Sequence, residues 1–328
     1  MMERRGFKYV CQVDTVYSLF LYLLLFPQNI EKTFYIFGSG IPNVIKEKFI
    51  NNSFVLKKKQ GGFLYSLLNI IYRGRILLPY IYWKYNLKNK VSYGQDHLIF
   101  SKYVIRKSLY FNLLEDGTAN YEAVGKLVEY RKNRYLQWKI TSLLNCLRGV
   151  ISMPWGFHPK IRRIFLSGIL NIPPYNYEKI ELFSLQEQWK KLSAKNKEII
   201  LRLLCVYNVF EEGESYDILL LTQCFSEDQI LSENDKIQMY KDILHIYQEK
   251  QLKICLKSHP REKTNYVNIF PFVKIIPSYM PFELLTLIGD IPFKKAITIN
   301  STAIYCLKKD IDKIVLGANF LEKYNCHS

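Results

Sequence analysis

Short apolar runs alternate with longer amphipathic or polar stretches along the whole chain, as expected of strands threaded between helices. In the first part the strand-like runs are Phe7–Val13, Lys32–Phe37, Ser53–Leu56, Val91–Asp96, Ser108–Leu114 and Lys160–Leu166. In the second they are Asp217–Leu221, Leu252–Leu256, Val273–Ile276, Ala296–Ile299 and Lys313–Leu316. A helix is predicted over Asp14–Phe26, with Asp14 or Thr15 as its cap, and another over Asp235–Lys250, capped by Ser232. Tyr121–Leu147 and Ser184–Val206 also read as helical. Phe63–Tyr85 is rich in Leu, Ile and Tyr with Arg73, Arg75, Trp83 and Lys84 interleaved, and Gly74 and Pro79 should break or kink a helix there. It suits either a membrane interface or a helical pair packed on a sheet. Gly38-Ser39-Gly40 is too short for a dinucleotide fingerprint and reads as a turn. A βαβ unit opening the chain predicts a parallel sheet with ligands at its carboxyl edge.

The length of 328 residues suits two domains. The polar break Glu211–Glu214 suggests a boundary giving 1–208 and 209–328. Charge shifts near the same place. Residues 1–200 hold 31 Lys and Arg against 13 Asp and Glu, whereas residues 201–328 hold 15 against 16. A basic surface confined to the first domain points to a polyanion or an anionic membrane face. The 7 cysteines are an odd, scattered set with no C-x-x-C pair, which supports neither a disulfide framework nor a zinc site and fits a reducing cytoplasm. Val16–Phe26 is shorter than the ~20 residues a bilayer span needs, and no small-residue cleavage site follows it.

Three stretches carry candidate chemistry. Glu115-Asp116-Gly117 closes the apolar run Ser108–Leu114 and places adjacent carboxylates at a strand end, suited to general-base work. Lys257-Ser258-His259-Pro260-Arg261 follows Leu252–Leu256 and presents a cation and an imidazole. Asn300-Ser301-Thr302-Ala303 follows Ala296–Ile299 and should open a helix whose free N–H groups face a phosphate. With Glu283 after Pro281-Phe282, three strand ends of the second domain deliver polar groups to one face. A second His-Pro, at His158, precedes a strand and reads as a turn.

Together the acidic-acidic-Gly turn, the His-Pro motif and the Ser301-Thr302 pair resemble the bacterial sialyltransferases of glycosyltransferase family 52. They also resemble the capsule polysialyltransferases and the marine-type sialyltransferases. Leu220–Asp228 looks like the opening of the family's donor domain, with Cys224 where a proline would be expected. The resemblance implies an α/β protein of GT-B type, two Rossmann-like domains with the active site in the cleft between them. The first would be acceptor-side and the second would bind the CMP-sugar. It implies inverting transfer from CMP-sialic acid to a hydroxyl of a capsule or lipooligosaccharide glycan, without cofactor or metal. Glu115 would be the base, with Asp116 as the alternative, and His259 would protonate or hydrogen-bond the leaving phosphate. Ser301 and Thr302 would hold that phosphate, Lys257 the cytosine and Glu283 the ribose, with Pro260 completing the donor-side motif. The partners implied are a nucleotide-sugar donor and a glycan acceptor, lipid-linked at the inner face of the cytoplasmic membrane. The basic first domain would touch that membrane peripherally, and no nucleic acid would be bound. Two other readings remain: the same fold using a donor such as UDP-hexose, and a non-catalytic basic protein binding nucleic acid or membrane.

Overall fold

The computed structural model describes residues 6–56, 72–207, 209–210, 214–248, 251–288, 293–307 and 310–324. Lys57–Lys59, the first part of the 63–85 stretch through Ile71, and the 211–213 part of the polar break lie outside the described residues. The chain divides into two compact units, Met1–Cys205 and Val206–Ser328, against a sequence-based boundary at 208/209.

Among the described residues the first unit carries β1 (Tyr9–Val13), β2 (Thr33–Phe37), β3 (Ser53–Val55), β4 (Val91–Gly94), β5 (Phe111–Leu114), β6 (Ile161–Leu166) and β7 (Ile180–Leu182). They form one parallel sheet in the order β3-β2-β1-β4-β5-β6-β7. The second unit carries β8 (Tyr216–Leu221), β9 (Ile254–Lys257), β10 (Lys274–Ile276), β11 (Phe293–Thr298) and β12 (Asp312–Val315), parallel in the order β10-β9-β8-β11-β12. In both sheets the order reverses beside the first strand, between β1 and β4 and between β8 and β11. Strands leaving a reversal in opposite directions open a crevice at their carboxyl ends, where ligands bind in open α/β sheets.

Helices cover both sheets because the strands are apolar on both faces. Val16–Leu25 is buried over most of its length, and Thr15, rather than Asp14, caps it by accepting the Ser18 N–H. Other helical readings divide. Tyr121–Leu147 is two helices, Ala119–Asn133 and Tyr135–Leu147, parted at Arg134, whose backbone leaves helical geometry. Ser184–Val206 is also two, because Ser193 starts a second helix by accepting the Asn196 N–H. Conversely, Gly74 and Pro79 do not break their helix. The helix runs on through a π-turn over Arg73–Leu77 into Leu78–Lys84, and that irregularity sits directly before Pro79, which has no N–H to give to the i→i−4 ladder.

Candidate active site

At the reversal of the first sheet, β1, β4 and β5 end in Asp14-Thr15, Gln95-Asp96-His97 and Glu115-Asp116. The two acids of the turn part company. Glu115 is fully buried, and its carboxylate accepts Tyr17 Oη (2.7 Å), Tyr121 Oη (2.8 Å), Ser167 Oγ (2.8 Å) and the Ser167 N–H. Four donors saturate a carboxylate. Asp116 keeps a fifth of its side chain exposed, with Oδ2 3.2 Å from His97 Nε2 and Oδ1 3.1 Å from Thr15 Oγ1. The His97 Nδ1 is buried without a hydrogen-bond partner. A bare ring nitrogen costs less there than an orphaned N–H, so the proton belongs on Nε2, pointed at Asp116.

His97 is itself held. Trp155 stacks on it with centroids 4.5 Å apart, and buried Asp96 accepts the Trp155 and Gly156 N–H groups at 3.0 and 2.9 Å. Those bonds keep Trp155 at φ +72°, a left-handed conformation that a bulky residue adopts only when its surroundings impose it. Asp14 stands nearby. Burial, with the Asp116 charge adding, raises its pKa against the Gly40 N–H, which donates to Oδ1 at 2.6 Å. A Cβ on Gly38 would lie 2.0 Å from that same oxygen, so the Gly-Ser-Gly stretch is a cradle for Asp14 as well as a turn.

In the second unit, β8 ends in Thr222-Gln223-Cys224, β9 runs into Ser258-His259-Pro260 and β11 into Asn300-Ser301. Lys257 is the last residue of β9 and is buried, its Nζ donating to the Ser258 and Ser278 carbonyls at 2.7 and 2.9 Å. Burial lowers its pKa to about 8, against the Glu262 and Glu283 charges, which raise it. Glu283, in the helix Phe282–Leu287, is thus electrostatically linked to Lys257. The loop is closed by Glu262, whose carboxylate accepts His259 N, Thr222 Oγ1 and Tyr266 Oη at 2.7, 2.5 and 2.8 Å. Beneath it lies Lys236, fully buried, 3.2 Å from Glu227, 3.1 Å from Glu233 and 3.9 Å from Glu262. Glu227 accepts the Lys263 N–H in turn, so one ammonium ties down both ends of the histidine loop.

His259 is exposed, but its Nδ1 edge turns inward, 2.9 Å from Cys224 Sγ and 3.2 Å from the Arg261 N–H. Burial pushes the Cys224 thiol up to about 11, so it is protonated and can donate. Facing two donors, Nδ1 is an acceptor and the proton is assigned to Nε2. Burial, with Arg261 and Lys257 adding, lowers the His259 pKa from 6.5. Pro260 is exposed and biases His259 toward extended backbone. Asn300 N donates to Gln223 Oε1 (2.7 Å) across the β8/β11 reversal, and Ser301 N to Thr298 Oγ1 (3.1 Å). The expected helix after Ser301 is a five-residue 3-10 turn, Thr302–Cys306, too short for an aligned helix dipole. Ser301 makes no capping bond with its side chain, and the side chain of Thr302 lies outside the described residues.

The structure thus brings Glu115 and Asp116 to one sheet reversal and Lys257, His259 and Glu283 to the neighbourhood of another. Sequence reasoning missed His97, Trp155, Lys236 and Glu262, and noted Cys224 only as a departure. His97 had a signal, since it stands directly after a strand; Lys236 had none. The sequence profile of glycosyltransferase family 52 matches residues 75–316. The chain belongs to glycosyltransferase family 52. This family 52 glycosyltransferase is 33% identical over 310 residues to an uncharacterized protein of Haemophilus influenzae, covering 92% of each chain. Its fold is similar to the crystal structure of a 2,6-sialyltransferase from a Photobacterium species in ternary complex with CMP and lactose. The TM-score is 0.56 at 14% identity, over 93% of this chain and 71% of that one. The family 52 chain therefore has the expected α/β fold of GT-B type, with two Rossmann-like domains. Among its described residues no helix is long and apolar enough to cross a membrane.

Proposed function

We propose that this family 52 glycosyltransferase moves sialic acid from CMP-sialic acid to a hydroxyl of a surface glycan, of capsule or lipooligosaccharide type, with inversion and without a metal. One observation supports this most: each sheet reversal offers one half of the chemistry, an open carboxylate in the first unit and an open imidazole N–H in the second. The CMP and lactose bound by the structurally similar 2,6-sialyltransferase agree with a donor of this kind.

In this reading Asp116, not Glu115, is the base. Glu115 has no oxygen left for a substrate, whereas Asp116 is partly exposed. Asp116 takes the proton of the acceptor hydroxyl as its oxygen attacks the anomeric carbon. The bond from that carbon to the phosphate oxygen breaks, and its electron pair leaves with CMP. The charge building on phosphate is met by the His259 Nε2–H. No proton need be transferred to it, because a phosphate monoester stays largely ionised above its second pKa of about 6. Hydrogen bonding is therefore the favoured one of the two roles expected for His259. Ser301 adds a hydroxyl, Glu283 meets the ribose, and Lys257 holds the loop, its N–H bonds being largely committed to carbonyls.

The test is a thermal-shift and calorimetric panel of CMP, CMP-sialic acid, UDP and GDP in EDTA. Ligand at 100 times its Kd stabilises the native state by about 2.7 kcal/mol. Response to the CMP compounds is the expected result, followed by a sialylated product of inverted anomeric configuration on NMR. Response to UDP alone moves the donor to another nucleotide sugar. Silence from all four overturns the proposal.

A further inference from the structure

Glu227, Glu233 and Glu262, beside the histidine loop of the second unit, are tied to buried groups: the first two to Lys236, the third to Thr222 and Tyr266. Asp228 is tied to Arg261 instead. The Nη1 and Nη2 of the guanidinium donate to its Oδ1 and Oδ2 at 2.8 and 3.1 Å. Both side chains are open to solvent, 61% exposed for Arg261 and 41% for Asp228. A two-pronged bond of this kind is how a guanidinium recognises the carboxylate of a ligand. Here it lies on the surface, where an ion pair contributes little to stability.

The loop does not need that bond. His259 N donates to Glu262, Glu262 N to the His259 carbonyl at 3.0 Å, Lys263 N to Glu227, and Arg261 N to His259 Nδ1. On the other side, Asp228 N donates to the Cys224 carbonyl and Ile230 N to the Phe225 carbonyl, both at 2.8 Å. Both backbones are thus fixed without the side-chain pair. The guanidinium can change partners while the loop stands still.

Its place decides the new partner. Arg261 follows His259 by two residues, and in the proposed mechanism the His259 Nε2–H meets the leaving phosphate. Burial first, and the Arg261 charge next, lower the His259 pKa, so the guanidinium is felt at the imidazole. The buried cations nearby are committed: Lys236 has no exposed surface, and Lys257 donates to two carbonyls. In CMP-sialic acid the anomeric carbon carries both the phosphate oxygen and a carboxylate, which makes the two anions close neighbours. A UDP-hexose has no carboxylate there. We propose that Arg261 is the donor-specificity residue of this site, its guanidinium leaving Asp228 to take the carboxylate of the donor sugar in the same two-pronged bond.

Asp228 is then an intramolecular competitor for the guanidinium. The Arg261 bond holds its carboxyl below the usual carboxylate range, so the guanidinium faces an anion in either arrangement. Once released, Asp228 remains hydrated, which keeps the exchange cheap; a buried carboxylate such as Glu262 could not be let go in this way. A donor without the carboxylate leaves the pair as it is and gains nothing from Arg261. The inference rests on the CMP-sialic acid reading and deepens it.

The test measures Kd for CMP and for CMP-sialic acid by calorimetry on the full chain and reads their ratio, in which effects on the phosphate cancel. Arg261→Gln should weaken CMP-sialic acid at least about ten-fold, the scale of a charge-assisted bond, and leave CMP within about two-fold. Asp228→Asn removes the competitor and should tighten CMP-sialic acid about three-fold relative to CMP. Lys263→Gln removes an exposed ammonium two residues further along, a point charge without a fork, and should leave the ratio unchanged. The Arg261 backbone N–H survives substitution, and both side chains of the pair are exposed, so the His259 tautomer and the Tm should hold. A ratio in Arg261→Gln equal to the parent's overturns the inference, as does a ratio that falls with Lys263→Gln instead. Equal weakening of both ligands by Asp228→Asn assigns the pair to holding the loop and overturns it too. A parent chain that binds neither compound sinks the donor reading and the inference with it, whereas parent binding with an unchanged ratio in Arg261→Gln sinks the inference alone.

Discussion

The acid turn after β5 and the histidine loop after β9 solve the same problem with opposite charge. Each displays one polar group and buries a charged neighbour beside it. After β5 the buried group is Glu115, satisfied by two tyrosines and Ser167, and the displayed one is Asp116. After β9 the buried groups are Lys257 and Glu262, and the displayed one is His259. Adjacent residues in a strand–turn point in different directions, so one is taken up by the interior while the next faces the crevice. In the proposed mechanism the saturated member of each pair is an anchor and the unsaturated one does the chemistry. The anchors differ in kind. The first is neutral-donor hydrogen bonding, and the second rests on Lys236 among three carboxylates.

The largest expected effect separates Asp116 from Glu115. Asp116→Asn should lower kcat by about 10³-fold or more while CMP binding and Tm hold, since general-base catalysis contributes 10²–10⁴-fold. Glu115→Gln should instead lower stability by about 2–4 kcal/mol, because an amide cannot accept four donors and its own N–H₂ meets hydroxyls. A Glu115→Gln protein with the parent's Tm and no turnover, beside an active Asp116→Asn, would exchange the two roles.

The second region's anchor should give way nearly as far. Lys236→Met leaves Glu227 and Glu262 without their buried cation, and removing one partner from a buried ion network costs about 3–5 kcal/mol. Chemical denaturation of the variant measures it. A loss below 1 kcal/mol would mean that the hydroxyl and backbone donors of Thr222, Tyr266 and Lys263 suffice for those carboxylates, and that the two anchors are alike.

These anchors also mark the limit of what the sequence showed. The strands were legible because a parallel sheet buries both faces and writes each strand as an apolar run. β7 was not, having three residues of which Glu181 and Leu182 are exposed. The Arg134 break between two helices depends on a single backbone conformation with no Gly or Pro to announce it. Glu115, Asp116, His259 and Ser301 were legible as candidates because chemistry collects where such strands end. Which acid is sealed in was not legible: Tyr17 and Ser167 lie 98 and 52 residues from Glu115 in the chain. Lys236 looked like any polar position of an amphipathic helix, since its burial is set by Glu227 and Glu262 in other elements.

His259 gives the next effect, and its pH dependence sharpens the contrast with Asp116. His259→Ala should lower kcat about 10²-fold and weaken CMP binding, the scale of losing one charge-stabilising donor. The folded pKa lies below 6.5, so the ring is neutral at pH 7. If the neutral Nε2–H is the working form, kcat in the parent does not fall as pH rises through the imidazole pKa. A basic limb in kcat that disappears in the alanine variant would show that an imidazolium acts as acid, and would undo the hydrogen-bonding role.

The smallest effect belongs to Cys224, and it isolates the device that gives His259 its tautomer. The thiol 2.9 Å from Nδ1 and the Arg261 N–H on the same nitrogen both favour the proton on Nε2. Cys224→Ser keeps a donor at that place and should stay within about two-fold of the parent. Cys224→Ala leaves only the backbone N–H, and losing one of two neutral hydrogen bonds, worth about 0.5–1.5 kcal/mol, should lower kcat roughly three- to ten-fold. Nitrogen-15 NMR of the imidazole reads the tautomer directly, with Nδ1 unprotonated in the parent and the serine variant and the two forms mixed in the alanine variant. A structural role for Cys224 would lower the Tm of both variants and leave the imidazole spectrum as it was. An imidazole spectrum unchanged by Cys224→Ala together with a kcat loss would place the thiol's influence on the loop rather than on the ring.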